Sequence, residues 1–193
     1  MLLAVSMSIP GEALGHKADV DEVVWFGLDY SLVRFIGFSD QFSDLPKIRE
    51  TYFRSWNELI LSESEKYDLE GAFGVSRVTY EIDHAIARSQ EVNLDQILQS
   101  KAYGIDEGQV RKVVKDYTDP SDDRVGSLLV METLNKIDEE QSMWLVFFKI
   151  SSGETLYIER HVEKPGGFGF RNYWARGYYN LIKNLKDSNR KPV

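Results

Sequence analysis

The chain has no cysteine. That excludes disulfides, thiolate metal sites, a cysteine nucleophile and a lipid anchor on an N-terminal cysteine, although it assigns no compartment. Histidine is nearly as scarce, with His16, His84 and His161 the only three. No HExxH or comparable ligand spacing joins them, so neither a metal nor a cofactor is expected. The chain also lacks a GxSxG nucleophile elbow, a Walker sequence and a dinucleotide fingerprint. Cations are outnumbered, 23 Lys+Arg against 31 Asp+Glu, for a formal net charge of -8. Sequence-independent binding to nucleic acid needs clustered cations, so that class is set aside, as is polybasic attachment to a membrane surface. Beyond the N-terminus no apolar run reaches the length of a membrane span. The expected relation to a membrane is therefore peripheral at most.

What is present is ordinary globular composition. Over 193 residues, 42% are hydrophobic and 28% charged, enough for one well-buried domain and short for two. The first nine residues form a short apolar run, and Ala13-Leu14-Gly15 fits a small-residue cleavage site. Residues 1–15 therefore read as a signal peptide whose basic start lies upstream, with His16 opening a mature domain of residues 16–193. The expected location is periplasmic or secreted. The plain alternative is an N-terminal tail.

Periodicity supplies the elements. Residues 23–28, Val-Val-Trp-Phe-Gly-Leu, are apolar on both alternating faces and read as an internal strand, with an extended pattern continuing to Phe38. Ser43-Asp44-Leu45-Pro46 is a helix start. Ile48, Tyr52, Trp56, Leu59 and Ile60 then form one stripe of a helix running to about residue 65. Residues 75–83 alternate as a strand with one wet face, and residues 84–91 extend it or form a loop. Two capping-box spacings, from Asn93 and from Asp106, open short helices. The acidic loop 119–123 follows. Three apolar runs between Leu128 and Val162, joined by short polar turns, read as an antiparallel meander. Its middle run, Met143 to Ile150, is apolar on both faces and must be covered on both. A final amphipathic helix starts near Arg171, carrying Trp174, Tyr178, Leu181, Ile182 and Leu185.

The most individual segment is residues 165–176. Gly166, Gly167 and Gly169 lead into a helix N-terminus, where exposed backbone N–H groups can face an anion and Arg171 or Arg176 can add charge. Phe168 and Phe170 can stack on a sugar or clasp a peptide. These seven residues are the candidate binding surface, for an envelope protein or a glycan. The alternative is a tight strand-to-helix connection with its aromatics folded onto the core. Catalytic candidates are weaker. Asp29, Glu81 and Asp83 lie near strand ends and suit a glycosidase carboxylate pair in type. His84, next to Asp83 on an expected strand, points to the opposite face. His161 lies on the polar alternation of its strand.

The stretches Val-Val-Trp-Phe-Gly-Leu-Asp-Tyr-Ser at 23–31 and Gly-Gly-Phe-Gly-Phe-Arg-Asn-Tyr-Trp at 166–174 resemble uncharacterised exported proteins of Bacteroidetes. That resemblance implies an exported protein and brings no activity and no catalytic residues. More distantly, the order of elements is similar to envelope assembly domains of the CsgG, LpoB and TolB N-terminal type, a fold-level analogy. The expected architecture is a single α+β domain. It has a mixed, mostly antiparallel sheet of about five strands packed on two long amphipathic helices, ending in a three-strand meander and a helix. The expected function is a non-catalytic envelope binding or assembly module. A small periplasmic hydrolase using carboxylate or histidine residues is the alternative.

Overall fold

A computed structural model describes residues 20–188 and Pro192; the expected signal peptide at 1–15 lies outside the described residues. Strand β1 (Glu22–Asp29) is buried over nearly its whole length. It pairs in parallel with β3 (Arg77–Tyr80) on one side and with β5 (Val125–Asn135) on the other. A short turn then leads to β2 (Arg34–Ile36), which runs parallel to the far end of β5 and to β4 (Leu98–Gln99). Five strands are thus joined by parallel pairings in the order β3-β1-β5-β2-β4. Strands β6 (Glu140–Lys149) and β7 (Thr155–Glu163) extend the sheet antiparallel from the free side of β5.

This corrects the expected fold class. The sheet is mostly parallel, seven-stranded among the described residues and of the α/β kind, where a mostly antiparallel α+β sheet was expected. Short polar turns dictate antiparallel pairing only for the last three strands. The segments between β1 and β3 and between β3 and β5 are long and helical, which is what parallel crossovers require. Parallel strands buried on both faces read as continuous apolar runs, as β1 does.

Helices cover both faces. On one side the core joins Trp25, Tyr30, Trp56, Phe73, Phe147 and Trp174. It lies under α2 (Phe53–Ser62), α3 (Leu69–Phe73) and α6 (Phe170–Asp187). Ahead of α2, the turn α1 (Leu45–Lys47) is capped by Asp44, and a π-helical turn follows over Ile48–Tyr52. On the other side Val24, Phe26, Val130 and Val146 meet Val110 and Val114 of α5 (Glu107–Val114). The capping box expected at α5 is formed in both directions by Asp106 and Gln109. Residues 83–90 are neither a strand extension nor a loop but helix α4 (Asp83–Gln90).

Two irregularities position polar groups. At Gly27, with φ of 100°, β1 shifts register against β5, a conformation that favours glycine. There Asn57 of α2 satisfies the Leu28 backbone, accepting from its N–H at 2.7 Å and donating to its carbonyl at 3.1 Å. At Glu132, β5 shifts register against β6: Met131 faces Met143 and Thr133 faces Ser142, leaving Glu132 as the extra residue.

Candidate functional site

Helix α6 is laid down by its apolar stripe, with Trp174, Tyr178, Leu181 and Ile182 all buried. Its first turn is left without a capping side chain. Gly169 is the N-cap, at φ 80° and ψ 148°, which a residue with a Cβ rarely adopts. The preceding connection is tied back by one backbone bond, Gly166 N–H to the Tyr173 carbonyl at 2.8 Å. Trp56 of α2 anchors the same turn from below, donating from Nε1 to the Arg171 carbonyl at 2.9 Å. Arg171 is therefore pinned by its backbone while its side chain is left to the surface.

A groove of about 300 Å³ opens between this turn and the segment after α2. Gly166, Gly167, Arg171 and Arg176 contribute from α6 and its connection, Lys66, Tyr67 and Tyr179 add to the wall, and Glu63 brings one carboxylate to it, paired with Lys66. The Arg176 guanidinium lies 5.5 Å from the Tyr179 ring centroid, and Lys66 Nζ lies 4.9 Å from that of Tyr67. The two tyrosines meet edge to face at 6.3 Å. Lys66 is paired with Glu63 at 3.0 Å, and that hydrogen bond holds its pKa above the ordinary lysine value. Burial pushes the Tyr67 hydroxyl upward, so it stays protonated and can donate. Among the described residues, Arg171 and Arg176 have no carboxylate within ion-pair distance. In a chain of net charge -8, two unmatched guanidinium groups beside an open helix N-terminus make a local anion-attracting surface.

Of the seven residues expected at this surface, four line the groove. Gly169 sets the helix start, and Phe168 stands beside it at 96% exposure without lining it. Phe170 packs against Phe42, Tyr52, Trp56 and Trp174 and sits half-buried on the core. Lys66 and Tyr67, more than 90 residues earlier in the chain, carried no signal in the sequence for this site. Tyr179, one helical turn from Arg176, was readable from spacing alone.

The catalytic candidates are dispersed. Asp29, fully buried at the end of β1, accepts from Tyr117 Oη at 2.6 Å and Arg88 Nε at 2.8 Å. Arg88 also bonds Asp116 at 2.5 Å. Burial opposes the Arg88 charge and Asp29 more than offsets it, leaving its pKa above the ordinary value. Burial, reinforced by Asp29, raises the Tyr117 phenol well above its usual range. Glu81 is taken up by Arg124 at 3.0 Å. His84 lies in α4, not on a strand, and packs edge to face on Tyr117. His161 is on β7, and burial, opposed by Glu159, holds its pKa below 6.5. No group of three or more His, Asp or Glu among the described residues is arranged to hold a metal ion.

No family model matches the chain, and no curated protein matches it. Among solved structures the chain is similar to one described as the crystal structure of an uncharacterized protein. The two share 9% identity at a TM-score of 0.32, covering 86% of this chain and 91% of that one. A likeness of that size carries no argument about function.

Proposed function

We propose that the protein is a non-catalytic binding module of the cell envelope, and that the groove at the start of α6 takes an anionic group of its ligand. The observation that supports this reading is the pair of guanidinium groups, Arg171 and Arg176, left without a carboxylate partner on the wall of a tyrosine-lined groove. Carboxylate or phosphate on a glycan or on an envelope protein suits that wall, because Arg offers a planar fork of donors. Tyr179, half-buried, offers an aromatic edge beside it, while Tyr67 is buried beneath. Phe168, almost wholly exposed, stands beside the groove. The envelope assignment rests on the N-terminal apolar run with Ala13-Leu14-Gly15 and on the resemblance at residues 23–31 and 166–174. Among the described residues no helix is long and apolar enough to cross a membrane, so the module is proposed to be peripheral at most.

The hydrolase reading has less support. Its carboxylates are committed to internal partners, Asp29 to Arg88 and Tyr117 and Glu81 to Arg124. The test is calorimetric titration with a uronic-acid oligosaccharide and, separately, with inorganic phosphate. Replacing both Arg171 and Arg176 by alanine is expected to weaken binding at least tenfold, since hydrogen bonds to charged groups contribute about 1.5–3 kcal/mol each. The melting temperature should stay nearly unchanged, because neither guanidinium is tied to the core. Equal binding by the variant would remove the groove as the site. A large loss of stability would assign the two arginines to packing.

A further inference from the structure

The bulge at Glu132 points to a second site, distinct from the groove on α6. A bulged residue is re-aimed out of the regular strand alternation. Here it carries a carboxylate that is 1% exposed. Glu132 Oε1 accepts from the Ile105 N–H at 2.9 Å. Its Oε2 takes both Nε and Nη2 of Arg160, at 2.7 and 2.5 Å. Next to it, the Thr133 and Ser142 hydroxyls bond each other at 2.6 Å in the interior. A buried charge costs several kcal/mol unless paired, so this arrangement reads as a built polar floor rather than a packing accident.

Above that floor lies a cavity of about 180 Å³. It sits at the carboxyl ends of β2 and β5, with Ile36, Thr133 and Asn135 in its wall. That end of a parallel sheet is where ligands of α/β folds enter. At roughly 30 Å³ per water the space holds about six waters, which suits a molecule of monosaccharide size and is below the drug-sized range. The polar wall is Tyr103, Thr133, Asp138, Glu140, Ser142 and Arg160, and Ile36, Ile137 and Val162 supply apolar contact. Arg160 is charge-compensated by Glu132, which leaves Glu140 and Asp138, whose Oδ2 accepts from Asn135 Nδ2 at 2.8 Å, as the wall charges without an ion-pair partner among the described residues. An anion is therefore repelled, in contrast to the groove on α6. Hydroxyls and carboxylates together match a polyol bearing an ammonium group.

We propose that this cavity is a binding site for an amine-bearing monosaccharide. Its ammonium would lie toward Asp138 and Glu140, and its hydroxyls on Thr133, Ser142 and the remaining Arg160 donors. The test is a titration of the full-length, ¹⁵N-labelled chain, followed by amide chemical shifts, with glucosamine, glucose and glucuronate as separate probes. Saturable shifts with glucosamine at Tyr103, Thr133, Ser142 and residues 137–140 are expected. Glucose should bind about tenfold more weakly, the worth of one charge-assisted hydrogen bond, and glucuronate should leave these amides unmoved. Glu140→Gln should weaken glucosamine about tenfold while the unliganded spectrum stays folded. The proposal is overturned if glucosamine shifts none of these amides, if glucose or glucuronate binds as well, or if Glu140→Gln binds like the parent.

Discussion

Asn57 is a buried side chain that holds the backbone of β1 where it departs from the regular ladder. Its amide replaces a ladder partner for Leu28 at the Gly27 irregularity and also donates to the Phe53 carbonyl at 3.1 Å. Replacing it by leucine keeps the volume but strands two backbone groups in the interior. We expect Asn57→Leu to cost about 2–4 kcal/mol and lower the melting temperature by about 5–15 °C, read by urea and thermal unfolding. Asparagine in a helical apolar stripe gave no hint of this in the sequence, since its partner is a backbone 29 residues away. His161 acts differently. Burial, opposed by Glu159, depresses its folded pKa. Above about pH 6.5, the unfolded value, both states are neutral and no difference arises. As the pH falls from there to the folded pKa, the unfolded chain takes a proton that the folded chain refuses, and stability is lost. His161→Gln should therefore lose less stability than the parent between about pH 7.5 and about pH 5, measured by urea unfolding. Parallel losses would remove His161 as the source. At lower pH the sign is the same for Glu132. Burial raises its pKa, but Arg160, Ser142 and the Ile105 N–H together outweigh it, so the folded value is lowered. Its contribution is present above about pH 4.3 and is lost as pH falls through the folded value.

At the scale of elements, α6 and β6 approach closely at Gly177. A Cβ on Gly177 would stand 2.2 Å from the Gln141 amide carbon, and Gln141 is fully buried with neither amide atom partnered among the described residues. Helix propensity alone favours Gly177→Ala by about 1 kcal/mol. The clash should reverse that sign, for a net loss of about 1–3 kcal/mol. Adding Gln141→Ala should recover most of the loss, because it removes the obstructing amide. A double-mutant cycle by denaturant unfolding reads the coupling, and simple additivity would show that the two side chains do not meet. The same scale shows what periodicity can and cannot reveal. The both-faced apolar runs of β1 and β6, the alternation of β7 and the stripes of α2 and α6 were legible as elements. The parallel pairing of β1 was not, because its partners lie about 50 and 100 residues further along the chain and nothing local names them. The two-residue β4 carries no pattern of its own. Helix α4 was readable, since Ile82, Ala85, Ile86 and Ser89 recur at helical spacing, but the alternation ending at Ile82 masked it.

Over the whole molecule, the sheet divides the chain's chemistry between two places. The α6 groove gathers cations on an acidic protein, and the cavity at the ends of β2 and β5 gathers carboxylates and hydroxyls. Half of the candidate groove was legible, because Gly166, Gly167, Arg171 and Arg176 lie within eleven residues of one another in sequence. Its other wall, Lys66 and Tyr67, is delivered only by the crossover after α2. The second site was invisible, because it draws on four strands and a bulge. Arg171 and Arg176 are the two groups on which the binding reading turns. The most direct measurement is quantitative mass spectrometry of what the immobilised full-length chain retains from envelope extract, run beside a variant with Arg171 and Arg176 both replaced by alanine. A retained set that is lost with the variant at unchanged melting temperature is the expected result. Identical sets from both proteins would contradict it.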